Sequence, residues 1–460
     1  MEIKQFIGSR KFYSKMFSVM IPVLIQNIIT NFVNLLDNIM VGQIGTEPMS
    51  GVAIVNQLFF VFSLCMFAAV AAAGIFTAQY YGKGDHEGVR ATMRLKFWAA
   101  ALIAVIAFVA LLLFNEKLIS LFLHEGKEDL DLQAAFSYAK DYLGIMYLQI
   151  IPFAVIQVYA GTLRDTGETM LPMKAGIAAV LINLVFNYIF IFGKLGFPAM
   201  GVKGAAVATV IARLSECAIV VIRTHVRKAE LSFVSQLYST LRVPGGLVRD
   251  VTKMGMPLLM NELLWSSGMT ILNQCYSMRG LEVVSATNIA STITNLFFCA
   301  VLSMGSTVSI MVGQKLGAGE LEQAVDDDRK LIAFAVVMCS VVGGVMLLLA
   351  PQIPKAYNTS DSVRTLAARL IMVSACMMPF TAYTTTCYFT LRSGGKTIIT
   401  FLFDSVYVWV LCIPAAFILS RFTEMKILPM YCIVQSLEFI KCVIGYFFLK
   451  SRKWVNNLVA

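Results

Sequence analysis

Apolar runs of about twenty residues recur along the whole chain, and no other feature constrains the fold as strongly. An α-helix of about 20 apolar residues spans the hydrocarbon core of a bilayer. In lipid, only helices and closed barrels satisfy their own backbone groups. Of the 460 residues 14% are charged, against about 25% in soluble domains. The sequence therefore predicts an all-α, multi-pass membrane protein.

The apolar runs predict about twelve transmembrane helices, an even number that places both chain ends on the same side. The predicted spans are roughly 14–41, 50–80, 95–114, 137–161, 172–193, 201–223, 252–278, 285–314, 331–350, 364–391, 397–420 and 427–449.

The net charge of +10 is explained by the distribution of Lys and Arg over the predicted loops. About 24 of the 37 Lys and Arg residues fall on one set of loops, and about 11 fall on the other. The richer side includes both chain ends, so we expect both termini in the cytoplasm and the protein in the plasma (inner) membrane. The positive charge then requires no nucleic-acid partner.

No pattern for an enzyme or a bound cofactor is visible. The ten cysteines lie almost entirely in apolar runs without a CxxC pair, and the three histidines are scattered. No Walker A motif and no stretch long enough for a soluble domain occur, which argues against a self-contained ATP-driven pump. We therefore expect no enzyme activity and no cofactor.

The two halves of the chain repeat each other at a constant offset of 235 residues. The offset aligns Pro22 with Pro257 and Gln79 with Gln314, and the sharpest match pairs Gly82-Lys83-Gly84-Asp85-His86-Glu87 with Gly317-Ala318-Gly319-Glu320-Leu321-Glu322. Two six-helix lobes in the same orientation follow, an arrangement typical of secondary transporters. We predict an amino-terminal lobe over 1–223, a cytoplasmic linker over 224–250 and a carboxy-terminal lobe over 251–460.

The linker shows apolar residues at helical spacing among Arg, Lys and Ser. They are Leu231, Val234, Leu237, Tyr238 and Leu241. This spacing predicts an amphipathic helix that lies on the membrane surface, which Pro244-Gly245-Gly246 then ends.

A polar stripe runs along the first predicted span and ends at an acid. Asn27, Thr30, Asn34 and Asp37 follow one another at intervals of three and four residues, which puts them on one helix face. An acid at the bilayer centre costs on the order of 2.5–3.5 kcal/mol, so the stripe should face a wet cavity or a partner. The alternative is that Asp37 lies near the outer surface and is simply solvated.

Several segments, taken in order, resemble the multidrug and toxic compound extrusion family, MATE, over almost the whole chain. They are Pro22, Asp37-Asn38-Ile39-Met40-Val41-Gly42, Gln79-Tyr80-Tyr81-Gly82-Lys83-Gly84-Asp85, Leu163-Arg164-Asp165-Thr166-Gly167, Asn183-Leu184-Val185-Phe186-Asn187 and Gly204-Ala205-Ala206-Val207-Ala208-Thr209. The resemblance implies an ion-coupled antiporter that exports small, mostly cationic organic compounds by alternating access against a Na⁺ or H⁺ gradient. It also implies a monomer surrounded by membrane lipids.

The resemblance assigns an ion-coupling site in the first half. Asp37 matches the family's membrane acid in helix 1, and Asn183 and Thr209 match polar residues of the cation site in helices 5 and 6. Asn187 stands where some members have a second aspartate, so this chain departs from that pattern. An Asp, two amides and a hydroxyl suit Na⁺, which prefers oxygen ligands. The alternative for Asn183, Asn187 and Thr209 is hydrogen bonding between helices.

In the second half, Glu262 and Asp404 are the candidates for a substrate contact or a second cation site, together with Asn34 of the first half. Many members place a glutamate three residues after position 262, where this chain has Trp265. The alternative for Glu262 is a structural acid near the inner surface. Two pairs of opposite charges three residues apart, Arg213 with Glu216 and Glu438 with Lys441, are expected to form within their own helices.

Alternative functions remain open at this stage. One alternative is a flippase for lipid-linked sugars, which should show a cationic cavity for pyrophosphate, and another is a metabolite exporter of similar architecture. The charges within the predicted spans are mainly acids, which favours the antiporter. A channel or a membrane scaffold is the remaining alternative.

Overall fold

The computed structural model describes residues 3–122 and 131–460, apart from the side chains of residues 3, 4, 34 and 35. The described residues form helices and connecting turns, and none of them lies in a β-strand. Because a helix satisfies its backbone hydrogen bonds internally, this is the architecture that apolar segments adopt in lipid.

Twelve long helices account for most of the described chain. Eleven of those described are long and apolar enough to cross a membrane. The remaining long helix contains Asn261 and Glu262 and is less apolar. The helices are α1 (Arg10–Gly42), α2 (Thr46–Lys83), α3 (His86–Ser120), α4 (Leu132–Asp165), α5 (Met170–Phe192), α6 (Val202–Val226), α7 (Gly245–Ser277), α8 (Leu281–Gly317), α9 (Leu321–Leu349), α10 (Asp361–Ser393), α11 (Thr397–Phe422) and α12 (Ile427–Lys450). The prediction of an all-α membrane protein with about twelve spans is confirmed.

The contacts among the described residues group them into two compact units. One unit comprises Met1–Leu24, Ala78–Asp85 and Asp250–Ala460, and the other comprises Ile25–Thr77 and His86–Arg249. The boundaries of the repeat at residues 223 and 251 remain a prediction.

The repeat recurs in the backbone of the short turns that follow α2 and α8. Gly84 and Gly319, which the sequence offset pairs, have φ angles of +79° and +77°. This left-handed conformation is accessible to glycine without a steric cost from a Cβ atom. The sharpest sequence match therefore marks the same tight turn in both halves.

In the first unit, the ends of α2 and α8 cross in very close contact. A methyl group added to Gly82 would lie 1.9 Å from the carbonyl oxygen of Gln314, and one added to Gly317 would lie 1.9 Å from that of Gln79. Small residues allow two helix backbones to approach this closely. The matched residues of the repeat thus form a symmetric crossing.

The carboxy-terminal segment binds at the same crossing. Gln79 donates to the carbonyls of Ser393 at 2.9 Å and Asn456 at 3.2 Å, and its own oxygen accepts from the amide of Leu458 at 2.7 Å. Trp454 is only 1% exposed. The segment therefore packs as part of this unit.

In the second unit, the prediction of an amphipathic helix in the linker is wrong. The segment contains only a short 3₁₀ turn, Ser232–Val234, and Gln236 has a φ angle of +61°. Its apolar residues Leu231, Val234 and Leu237 are buried. Arg94 of α3 donates to the carbonyl of Leu237 at 2.9 Å. Because α3 covers the apolar side chains and satisfies free carbonyls, the segment folds as a packed loop.

Candidate functional site

The three helices α1, α5 and α6 bring the predicted ion-coupling residues together. Asn183 and Asn187 lie four residues apart on α5 and therefore share one helix face. Thr209 lies on α6, which packs closely on α5 because Gly204 lies against the backbone of Phe190. The small residue Gly204 near the start of α6 thus helps to place Thr209 beside the α5 amides.

A chain of hydrogen bonds connects these residues to Asp37. Asn187 Nδ2 donates to Asp37 Oδ1 at 2.7 Å and to Asn183 Oδ1 at 3.1 Å. Asn183 Nδ2 donates to Thr209 Oγ1 at 3.3 Å. Asn183 and Asn187 are 6% and 2% exposed, while Asp37 is partly buried. The four residues thus form one connected polar cluster within the second unit.

The protein's own groups do not satisfy every atom of this cluster. The Asn183 amide atom nearest Asp37 lies 2.9 and 3.0 Å from the two carboxylate oxygens. With the amide nitrogen in this position it donates to both oxygens, and it also faces Asn187 Nδ2 at 3.1 Å. The buried Oδ1 of Asn187 has no hydrogen-bond partner.

The oxygens of this cluster could also hold a cation. Na⁺ would be bound by carboxylate, amide and hydroxyl oxygens, the ligand type that suits hard cations. A proton on Asp37 would instead be donated to Asn183 Oδ1. The residues present therefore fit either ion, and the same cluster can exist with and without it.

Asp37 forms no ion pair with a described lysine or arginine. Arg213 of α6 pairs with Glu216 at 2.8 Å, as the three-residue spacing predicts. The groups that contact the Asp37 carboxylate are therefore neutral amides. The side chain of Asn34, the other candidate on this stripe, lies outside the described residues.

The candidates of the second half are placed differently. Asp404 Oδ1 pairs with Lys441 Nζ of α12 at 2.8 Å, and Asp404 Oδ2 accepts from Asn261 Nδ2 of α7 at 3.2 Å. Glu262 is partly buried next to Asn261, but Asn261 is the α7 residue that contacts Asp404. The predicted pair of Glu438 with Lys441 is wrong, since Lys441 binds Asp404 and Glu438 accepts from Thr384.

Sequence reasoning missed two buried polar contacts. Lys96, which is fully buried on α3, pairs with Asp165 of α4 at 2.7 Å. Asp328 of α9 is 3% exposed and accepts from Thr390 of α10. These partners lie far apart in sequence on different helices, so no local spacing relates them. The signal in the sequence that could have indicated these contacts is a single charged residue beside an apolar run.

A bundle of apolar helices with polar and charged clusters between them is the construction of a membrane transporter. A family model described as MatE matches residues 22–189 and 257–418, which is more than half of the chain. The protein belongs to the MatE family, whose members are transporters and not enzymes.

Similar proteins and structures span nearly the full length. "Probable multidrug resistance protein NorM" of Thermotoga maritima is 23% identical over 436 residues, covering 92% of this chain and 89% of the relative. "Probable multidrug resistance protein YoeA" of Bacillus subtilis is 22% identical over 433 residues, covering 92% and 91%.

Two solved structures have the same fold as this chain. A mutant of the Vibrio cholerae MATE transporter VcmN has a TM-score of 0.81 at 18% identity and covers 97% of this chain and 98% of its own. An outward-facing multidrug resistance MATE family transporter has a TM-score of 0.84 at 18% identity and covers 98% of both chains. This chain therefore has the two-lobe, twelve-helix fold of these proteins.

Proposed function

We propose that the protein is a cation-coupled antiporter, driven by Na⁺ or H⁺, that exports amphipathic, mostly cationic organic compounds by alternating access. The single observation that carries this proposal is the buried polar cluster around Asp37, in which Asn187 donates to the carboxylate and the Oδ1 atom of Asn187 has no hydrogen-bond partner. The names of the relatives, multidrug resistance proteins, support export of small organic molecules as the function.

Coupling requires that the ion binds with different affinity in two conformations. The polar cluster connects α1 to α5 and α6 through Asp37. A cation bound there would therefore change the strength of the contacts between α1 and these two helices. Pro22 lies inside α1 and makes that helix easier to bend. Ion binding from outside would repack α1 and lower the affinity for the exported compound. A cationic compound would alternatively compete for the Asp37 carboxylate directly.

We assign the residues these roles. Asp37 supplies the charge, and Asn183, Asn187 and Thr209 supply oxygen atoms and hold the carboxylate in place. Glu262 of α7 is the proposed contact for the exported compound within its own unit, and Asn34 stays a candidate from the sequence alone. The protein acts as a monomer in the plasma (inner) membrane with both termini in the cytoplasm, the orientation favoured by its Lys and Arg distribution.

The test is ethidium efflux from everted vesicles or proteoliposomes under separate Na⁺ and pH gradients. Wild type should transport with one of the two gradients, and Asp37→Asn should not. Asp361→Asn is the matched control, because this acid is highly exposed at the start of α10 and the same atom is exchanged.

Three outcomes would contradict the proposal. Loss of transport in Asp361→Asn as well would point to a general effect of removing an acid. Transport by Asp37→Asn at the wild-type rate would make Asp37 a solvated acid. Absence of ethidium transport in wild type under both gradients would favour a flippase for lipid-linked sugars or a metabolite exporter.

A further inference from the structure

A lysine occupies a cation-binding environment in the carboxy-terminal half. Lys441 of α12 is only 9% exposed, and its ammonium lies 2.8 Å from Asp404 Oδ1. The same ammonium lies 5.2 Å from the ring centre of Phe403 and 6.0 Å from that of Tyr407. A carboxylate attracts a cation by its charge, and aromatic faces attract ammonium groups and organic cations.

The remaining hydrogen-bonding groups around Asp404 are satisfied. Asn261 Nδ2 donates to Asp404 Oδ2 at 3.2 Å, and Asn261 Oδ1 accepts from the hydroxyl of Ser405 at 2.8 Å. Donors therefore meet acceptors throughout this cluster. The Asp37 cluster differs, since amides contact its carboxylate and no described lysine or arginine pairs with it.

The backbone around Asp404 is also unusual. Asp404 lies in a π-helical stretch, Leu402–Val406, and a second such stretch follows at Val408–Cys412. The wider π turn changes which side chains share a face, and π-helical turns occur often at functional sites. Here the π-helical stretch holds both Phe403 and Asp404, two of the groups that surround the ammonium.

We propose that Lys441 is a tethered cation that fills the cation site of the carboxy-terminal half, so that no coupling ion binds at Asp404. The proposal rests on the function proposed above and makes Lys441 the residue that determines the number of coupling ions. A single ion then binds per transport cycle, at Asp37. Removal of the lysine charge leaves the Asp404 carboxylate without its cation, and a free cation takes the vacated place.

The experiment counts coupling ions bound to the purified full-length protein. The probe is radioactive sodium in equilibrium dialysis, together with acid–base titration of the same samples to count protons. The variants are Lys441→Met, which removes the charge at similar length, Lys441→Arg, which keeps it, and Lys441→Met combined with Asp404→Asn. Each is measured with and without Asp37→Asn.

We expect wild type and Lys441→Arg to bind a single ion that Asp37→Asn abolishes. Lys441→Met should bind a second ion that persists in the presence of Asp37→Asn and disappears with Asp404→Asn. The ion at Asp37 serves as the internal check that a variant is folded. If Lys441→Met does not fold, the test uses the wild type and the doubly neutral variant. Each should then bind only the ion at Asp37.

Two results would overturn the proposal. The first is a wild-type protein that binds two ions, one of which depends on Asp404. The second is a folded Lys441→Met protein that still binds a single ion. Absence of an Asp37-dependent ion in every variant would instead refute the proposed function. An ion that depends on Asp404 would still be counted in Lys441→Met in that case, so the two failures are distinguishable.

Discussion

The substitution Asn183→Asp tests the cation site at Asp37 most directly, because it changes one amide nitrogen and its hydrogens to an oxygen. In the structure, one terminal atom of the Asn183 amide lies 2.9 and 3.0 Å from the Asp37 oxygens. The variant therefore places a second carboxylate in contact with the first. Two unit charges about 3 Å apart repel by about 5 kcal/mol at an effective dielectric constant of about 20.

A bound cation relieves this repulsion, so the ion should bind more tightly. Each 1.4 kcal/mol corresponds to about a tenfold change in affinity. The full repulsion would amount to almost four orders of magnitude, and rotation of the two side chains apart reduces it. We expect the affinity for the coupling ion to rise by at least about a hundredfold. Ion release should then slow, so that ethidium efflux falls while ion binding is strengthened.

The assay combines an ion-binding titration of the purified protein with efflux from proteoliposomes. The matched control is Asp37→Asn combined with Asn183→Asp, which exchanges the carboxylate and the amide and keeps the charge of the cluster. This exchange should bring the ion affinity back towards the wild-type value. An unchanged or weaker affinity in Asn183→Asp would refute a cation site formed by these two side chains.

Two further predictions concern stability and are measured as thermal unfolding of the purified protein. Lys96→Met should lower the free energy of unfolding by about 3–5 kcal/mol because Asp165 loses its buried partner. Adding Asp165→Asn to Lys96→Met should recover most of this loss. A Lys96→Met protein as stable as wild type would contradict the buried pair. Gly317→Ala should cost about 1–3 kcal/mol or more, since the added methyl meets the carbonyl of Gln79 at 1.9 Å. Gly344→Ala, which meets no atom within 4 Å, should be neutral or stabilising, and an equal loss in both glycine variants would refute the close crossing.

The membrane architecture is largely readable from the sequence. Burial in lipid requires runs of apolar residues whose length is fixed by the bilayer, so each of the twelve predicted spans has a corresponding helix. The repeat is also readable, because Gly84 and Gly319 must keep the glycine that their left-handed turn needs. The linker was predicted wrongly, since its helical spacing arises from packing of a loop on α3.

Part of the ion site also follows from the sequence, through the periodicity of the helix. Asn183 and Asn187 stand four residues apart, so any helix places them on one face. That this face meets Asp37 came from the family resemblance and is seen in the hydrogen bond from Asn187 to Asp37. The contact of the Asn183 amide with the carboxylate appears only in three dimensions.

The sequence by itself thus determined the membrane-spanning fold, the repeat and the polar faces of individual helices, because these depend on chain-local periodicity and on the thickness of a bilayer. The tertiary structure alone decided which charges meet. Lys441 has Glu438 three residues away on its own helix, yet it pairs with Asp404 of α11. Spacing along one helix determines which charged residues Lys441 can reach. The packing of neighbouring helices determines which of them is buried together with its ammonium group. In a membrane, the buried partner is the one that forms the ion pair.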